Sequence, residues 1–89
     1  MRQTYLEVTF RHGRALAAYL YLPRLPKDRS SRSVTAAPGL VVDYTSKGKA
    51  IGVEITSPAT VSLVSINRVL REIGALPLKR ADLQPLRAA

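Results

Sequence analysis

Cysteine and tryptophan are absent from this 89-residue sequence, and histidine, methionine and phenylalanine occur once each. Without cysteine there is no disulfide framework and no thiolate metal site. The lone histidine, His12, lies between Arg11 and Gly13, and cannot by itself supply the pair of imidazoles most zinc sites use. No glycine-rich phosphate loop and no nucleophile-elbow pattern occurs, so no catalytic residue, cofactor or small-molecule substrate is evident. No apolar run approaches the roughly 20 residues that cross a bilayer. The opening MRQTYLEVTF lacks the continuous apolar stretch and cleavage site of a secretory signal. The expectation is a cytoplasmic domain with no membrane partner.

Negative charge is also scarce, with six Asp and Glu against 14 Lys and Arg and a formal charge of +8. Such an excess draws a chain towards polyanions and acidic partners. The imbalance is uneven. Residues 1–33 hold seven basic and two acidic groups, residues 34–56 two of each, and residues 57–89 five and two.

That neutral middle carries the clearest structural signal. In GLVVDYTSKGKAIGVEI, residues 39–55, two alternating runs flank the polar turn Thr45 to Lys49. Leu40, Val42 and Tyr44 fall on one face of the first run, and Ile51, Val53 and Ile55 on one face of the second. Period-two alternation around a glycine-bearing turn predicts a hairpin, with Gly48 in the left-handed conformation. Asp43 and Glu54 then share the opposite face. Two carboxylates there suit acid-base or hard-cation chemistry, or pair with Lys47 and Lys49; without a third ligand the pairing reading is the simpler one.

A second hairpin opens the chain. Leu6, Val8 and Phe10 alternate with Tyr5, Glu7 and Thr9, the turn is Arg11 to Arg14, and Leu16, Ala18, Leu20 and Leu22 alternate with Ala15, Ala17, Tyr19 and Tyr21. One face is aliphatic and core-facing; the other offers three tyrosines. Residues 23–32, with two prolines, two serines and four basic side chains, predict a mobile surface loop. Ser33 to Ala37 predicts a short strand with Val34 and Ala36 inward. Leu63, Ile66, Leu70 and Ile73 recur at helical spacing, predicting a helix over 62–73 with Ser62 as N-cap and Gly74 just past its end. Beyond it, Leu76, Leu78, Leu83 and Leu86 lie among Pro77 and Pro85, which regular helix cannot run through. The fold class is therefore α+β: a small antiparallel sheet of two hairpins plus a short strand, with one helix packed on it. Residues 1–74 form the domain. Residues 75–89 form a leucine-proline tail that either straps the domain or awaits a partner.

The central hairpin resembles the signature of a bacterial family catalogued as domain of unknown function 2283: a hydrophobic run, an Asp-Tyr pair, a polar glycine turn and a Val/Ile-Gly-Val/Ile-Glu-Ile run. The matching residues are Val41, Val42, Asp43, Tyr44, Gly48, Ile51, Gly52, Val53, Glu54 and Ile55. The likeness extends more weakly over residues 4–56. It implies a small sheet domain without catalytic activity and, from partners in some gene neighbourhoods, an antitoxin-like role beside a small protein. Where the family is acidic, in the early turn and the mid-chain loop, this chain has Arg11, His12, Lys27 and Arg29. A partner shared with the family does not follow.

Two modes of action fit these residues. As an interaction module, the chain pairs with itself or with a small protein through Tyr19, Tyr21 and the tail residues Leu76, Leu78, Leu83 and Leu86. As a nucleic-acid binder, it uses Arg24, Lys27, Arg29 and Arg32 of the loop, with Arg11 and Arg14 of a neighbouring turn, and Tyr19 and Tyr21 for stacking. No helix-turn-helix, RNP-type or zinc-finger spacing supports the second mode.

Overall fold

The two expected hairpins form, and they meet side by side. The computed structural model describes residues 4–87; the outermost ends of the two expected segments, residues 1–3 and 88–89, lie outside the described residues. Five strands are present, β1 (Tyr5–Arg11), β2 (Arg14–Tyr21), β3 (Arg32–Ala37), β4 (Leu40–Tyr44) and β5 (Ala50–Ile55). They are followed by helix α1 (Leu63–Glu72), a 3-10 turn (Arg80–Leu83) and a short helix α2 (Gln84–Arg87). The sheet is wholly antiparallel in the order β1-β2-β5-β4-β3. This is the α+β architecture that the alternation and the single helical stripe predict.

Register arranges the alternating residues into rows across the sheet. Leu6, Leu20, Val53, Val42 and Val34 stand opposite one another in turn, as do Val8, Ala18, Ile55, Leu40 and Ala37. These rows form the inner face. Ile66, Val69 and Leu70 of α1 close over it, and Leu20, Leu40, Val42, Val53 and Ile55 are almost wholly buried beneath. Burying each such side chain contributes about 1.5–3 kcal/mol, so these rows dominate the stability of a domain this small.

Two inward assignments in the sequence reading are corrected by bulges. In β3 the register shifts between Thr35 and Ala37. Ala36 is therefore displaced and Ala37 takes the inward place, while Val34 faces inward at the sheet edge yet stays 42% exposed. In the first hairpin Thr9 faces Ala17 and Phe10 faces Ala15, leaving Leu16 as the extra residue. Moreover, β2 pairs with β5 only from Ala18 to Tyr21. The outer half of the first hairpin thus overhangs the sheet, and Phe10 and Leu16 are 47% and 49% exposed rather than buried. Its turn holds His12 and Gly13 at φ 52° and 75°, the two positive values a tight primed hairpin turn requires.

Helix α1 begins and ends on the predicted caps. The Ser62 hydroxyl accepts from the Ser65 N–H at 3.1 Å. At the other end Ala75 N–H donates to Leu70 C=O and Gly74 N–H to Arg71 C=O, with Gly74 at φ 77°. That is the Schellman pattern, which only a residue at ease in the left-handed region completes without strain.

The tail then straps the inner face of its own domain. Leu83 and Leu86 are buried in the same core as α1, and Leu78 packs against it half-buried. Pro85 is accommodated at the second position of α2, where its missing N–H has no intrahelical partner to lose. A two-point clamp holds the strap: Asn67 Nδ2 donates to Leu78 C=O at 3.0 Å, and Asn67 Oδ1 accepts from Leu78 N–H at 2.7 Å. One side-chain amide thereby imitates a strand pairing. Replacing Asn67 with Ala is expected to cost about 1–3 kcal/mol in thermal unfolding and to speed amide exchange across residues 76–86. Asn67→Asp, which keeps the acceptor for Leu78 N–H but sets a carboxylate oxygen against Leu78 C=O, should also destabilise the strap.

Candidate functional site

The face of the sheet away from the helices carries the polar and aromatic residues. Register lines up Tyr5, Tyr21, Gly52, Asp43 and Ser33 across all five strands, and beside them Glu7, Tyr19, Glu54, Val41 and Thr35. The expected tyrosine face therefore exists. Asp43 and Glu54 also share it, on neighbouring strands and one row apart.

Tyr19 leans across the seam between the hairpins. Its ring lies over Gly52, where an added Cβ would collide with Oη, Cζ and Cε2. Its hydroxyl donates to Asp43 Oδ2 at 2.7 Å, while Ser33 Oγ donates to Asp43 Oδ1. Both oxygens of one carboxylate are thus held by donors from β2 and β3. This network is not legible in the sequence, where the apparent partners of Asp43 are Glu54 and the turn lysines and Ser33 carries no signal. Burial, and then the Asp43 carboxylate it faces, push the Tyr19 phenol well above its ordinary value of 10.0.

Tyr21 is enclosed on several sides. Tyr5 stacks on it with centroids 4.6 Å apart, Tyr19 meets it edge-on at 4.7 Å, and the Arg24 guanidinium lies 5.1 Å from its centroid. Its hydroxyl reaches Glu7 Oε1 at 3.2 Å. Desolvation, followed by the Glu7 charge, raises its pKa. Ring faces already occupied in this way are poor platforms for stacking bases.

The basic residues do not form one patch. Arg11 and Arg14 stand at one end of β2, and the loop after Tyr21 starts from the other. Eight residues of strand separate them, about 23 Å at ordinary strand rise. The turn holding Arg11 and Arg14 is therefore not a neighbour of the loop. Arg24 lies on Tyr21, and Arg32 lies over Tyr44 at 5.0 Å. Lys27 and Arg29 remain together, joined by Lys47 around a shallow depression of about 390 Å³ with Ser30, Ser31 and Ser46.

The loop itself is shaped by specific bonds. It must cross the ends of β5 and β4 to carry the chain from β2 to β3. Asp28 Oδ2 accepts from Leu25 N–H at 2.9 Å and from Lys49 Nζ at 2.7 Å, and Ser31 N–H donates to Tyr44 C=O. The Lys49 hydrogen bond, then that of Leu25, holds the Asp28 carboxyl below its usual range. Lys49 is thus spent on Asp28 and not on Asp43 or Glu54.

The tail residues separate into two groups. Leu83 and Leu86 are core residues in this structure, which removes them from any surface. Leu76, 85% exposed, and Leu78 line an open groove of about 420 Å³ with Tyr5, Leu6 and Leu20. Among the described residues no group of three His, Cys, Asp or Glu side chains is placed to hold a metal ion, and no helix is long and apolar enough to cross a membrane.

Because the fold favours the neutral Tyr19 phenol, its contribution is complete below pH 10.0 and declines as pH rises above that value. Spectrophotometric titration should show a late-ionising tyrosine fraction that shrinks in Tyr19→Phe, together with a flatter alkaline stability profile. Gly52→Ala, which drives the ring off its seat, is expected to cost about 2–3 kcal/mol and to lose that late fraction even though Tyr19 is retained.

The family model for "Protein of unknown function (DUF2283)" matches residues 17–57, a little under half of the chain. The match begins inside β2, so β1, which the resemblance had included weakly, lies outside it. No curated protein and no solved structure matches the chain. The matched segment contains β3, β4, β5, most of β2 and every member of the Tyr19–Gly52–Asp43–Ser33 network, and over this segment the chain is similar to the DUF2283 family, proteins of unknown function.

Proposed function

We propose that this chain is a non-catalytic protein-association module that assembles with itself. The observation behind the reading is the overhang of the first hairpin. Phe10 and Leu16 lie half-exposed beyond the rest of the sheet, at the end of an edge strand whose outward backbone groups have no strand beside them among the described residues. Exposed apolar surface next to an open edge is the material of association. A domain of this size also gains stability from a second copy. A small acidic protein is the other partner class suited to a chain of charge +8, and the antitoxin-like role implied by the family resemblance belongs to that class.

The residues of the polar face support a non-catalytic reading. Both oxygens of Asp43 accept from hydroxyls, those of Tyr19 and Ser33, and in the loop Asp28 Oδ2 accepts from Leu25 N–H and Lys49 Nζ. Nucleic-acid binding through the 24–32 loop is the competing reading. It retains Lys27, Arg29 and Lys47, without the stacking tyrosines or the hairpin-turn arginines.

Light scattering on the purified protein, at low and high salt and with a mixed DNA pool, separates these readings. A dimer that persists in high salt and ignores DNA is expected, as is weakened assembly in the Phe10→Ser, Leu16→Ser double variant. A monomer that binds DNA only at low salt would overturn the association reading.

A further inference from the structure

We infer that β1 is the self-association element and pairs antiparallel with β1 of a second copy, with Thr9 on the two-fold axis. The inference rests on the association reading and makes it specific. β1 is an outer strand of the sheet, with β2 as its one neighbour among the described residues. A two-fold axis perpendicular to the sheet keeps inner face with inner face, so it must pass through a residue of β1 and not between two. The sequence then discriminates among the few central positions. An axis at Glu7 sets Glu7 against its own copy, a like-charge pair. An axis at Val8 sets Glu7 against Thr9 and Arg11 against Tyr5.

An axis at Thr9 gives the better match at each position. Glu7 stands opposite Arg11 of the second copy, Val8 opposite Phe10, and Thr9 opposite Thr9, then the same pairs recur in reverse. Opposite charges, an aromatic with a β-branched residue, and a threonine pair are the cross-strand combinations that stabilise antiparallel sheets. All five positions, residues 7–11, lie within β1. Phe10, 47% exposed in the single chain, is covered by Val8 of the second copy. Among the described residues no strand lies along the outer edge of β1 at any of these positions, so a second hairpin can approach it. The product is a continuous ten-stranded sheet with both pairs of helices on one side.

The absence of cysteine makes the test direct. Thr9→Cys places a single thiol on the axis, opposite its own copy, and mild oxidation should convert the protein to a disulfide-linked dimer. Thr35→Cys, on the other edge strand, should stay uncross-linked. Independently, Glu7→Lys and Arg11→Glu each create like-charge pairs and should weaken dimerisation roughly tenfold, whereas the double variant restores opposite charges and should recover it. Circular dichroism checks that each variant is folded. Cross-linking through Thr35→Cys but not Thr9→Cys, or a dimer indifferent to both single charge reversals, would overturn this interface and leave self-association through another surface standing. A wild-type protein that stays monomeric throughout the micromolar range would overturn both.

Discussion

Gly52 has no side chain, and the outer face of the sheet depends on that vacancy. The glycine sits on β5, at the seam where the two hairpins join. Because nothing rises from it, Tyr19 of the first hairpin can lie flat over β5 and reach Asp43 of the second. Asp43 in turn accepts from Ser33 on the edge strand. One line of contacts therefore crosses four strands, from β2 to β3, on the face that no helix covers. On the opposite face the helix and strap bury the aliphatic rows. The sheet is held from both sides by different chemistry: apolar burial below, and above it a carboxylate whose two oxygens are satisfied by hydroxyls. The family signature acquires a physical meaning from this arrangement. Its Asp and its Gly are opposite one another in register, and the pair sets a seat for an aromatic ring.

Topology explains what happens to the positive charge. Since β2 neighbours β5, the chain must pass over the ends of two strands to begin β3. The long basic loop is that crossing, fixed to the β4–β5 turn by Asp28 and Lys49. The first hairpin turn, with Arg11 and Arg14, necessarily falls at the other end of the molecule. A chain of charge +8 is in this way divided into separate small clusters, and two of its arginines are laid on tyrosine rings. Net charge shapes how such a chain meets acidic bodies at long range, whereas a specific site needs charges brought together.

Alternation and helical spacing made most of the architecture legible. Period two alone places Leu40, Val42, Val53 and Ile55 on the core face, and the Leu63, Ile66, Leu70 stripe with its Ser62 and Gly74 caps places α1. The failures have particular causes. A bulge inverts inside and outside for the residues beyond it, and nothing in Thr35-Ala36-Ala37 or Ala15-Leu16-Ala17 announces one. Leu16 and Phe10 looked like core because alternation reports a face and not whether anything lies beneath it. Leu83 and Leu86 looked available because the prolines ruled out a long helix and left open where the tail goes. Asn67, which decides that question, is one polar residue on a helix and carries no pattern. The same holds for Ser33: pairwise contacts between residues far apart in sequence leave no local period to detect.

The two edges of the sheet differ in a way that bears on assembly. β3 is blunted: it carries Arg32, Ser33 and Thr35, is bent by a bulge, and closes against the Pro38-Gly39 turn. Natural sheets use such features to prevent strand addition. β1 has few of them. It is a seven-residue strand with Leu6, Val8 and Phe10 along one side, and its bulge is on the partner strand, leaving its own alternation unbroken. An edge left regular beside an edge made irregular is asymmetric protection, and it directs any strand pairing to β1. That edge also lies outside the segment shared with the family. The residues of the matched segment thus join the two hairpins across the seam, while the regular edge strand lies outside that segment.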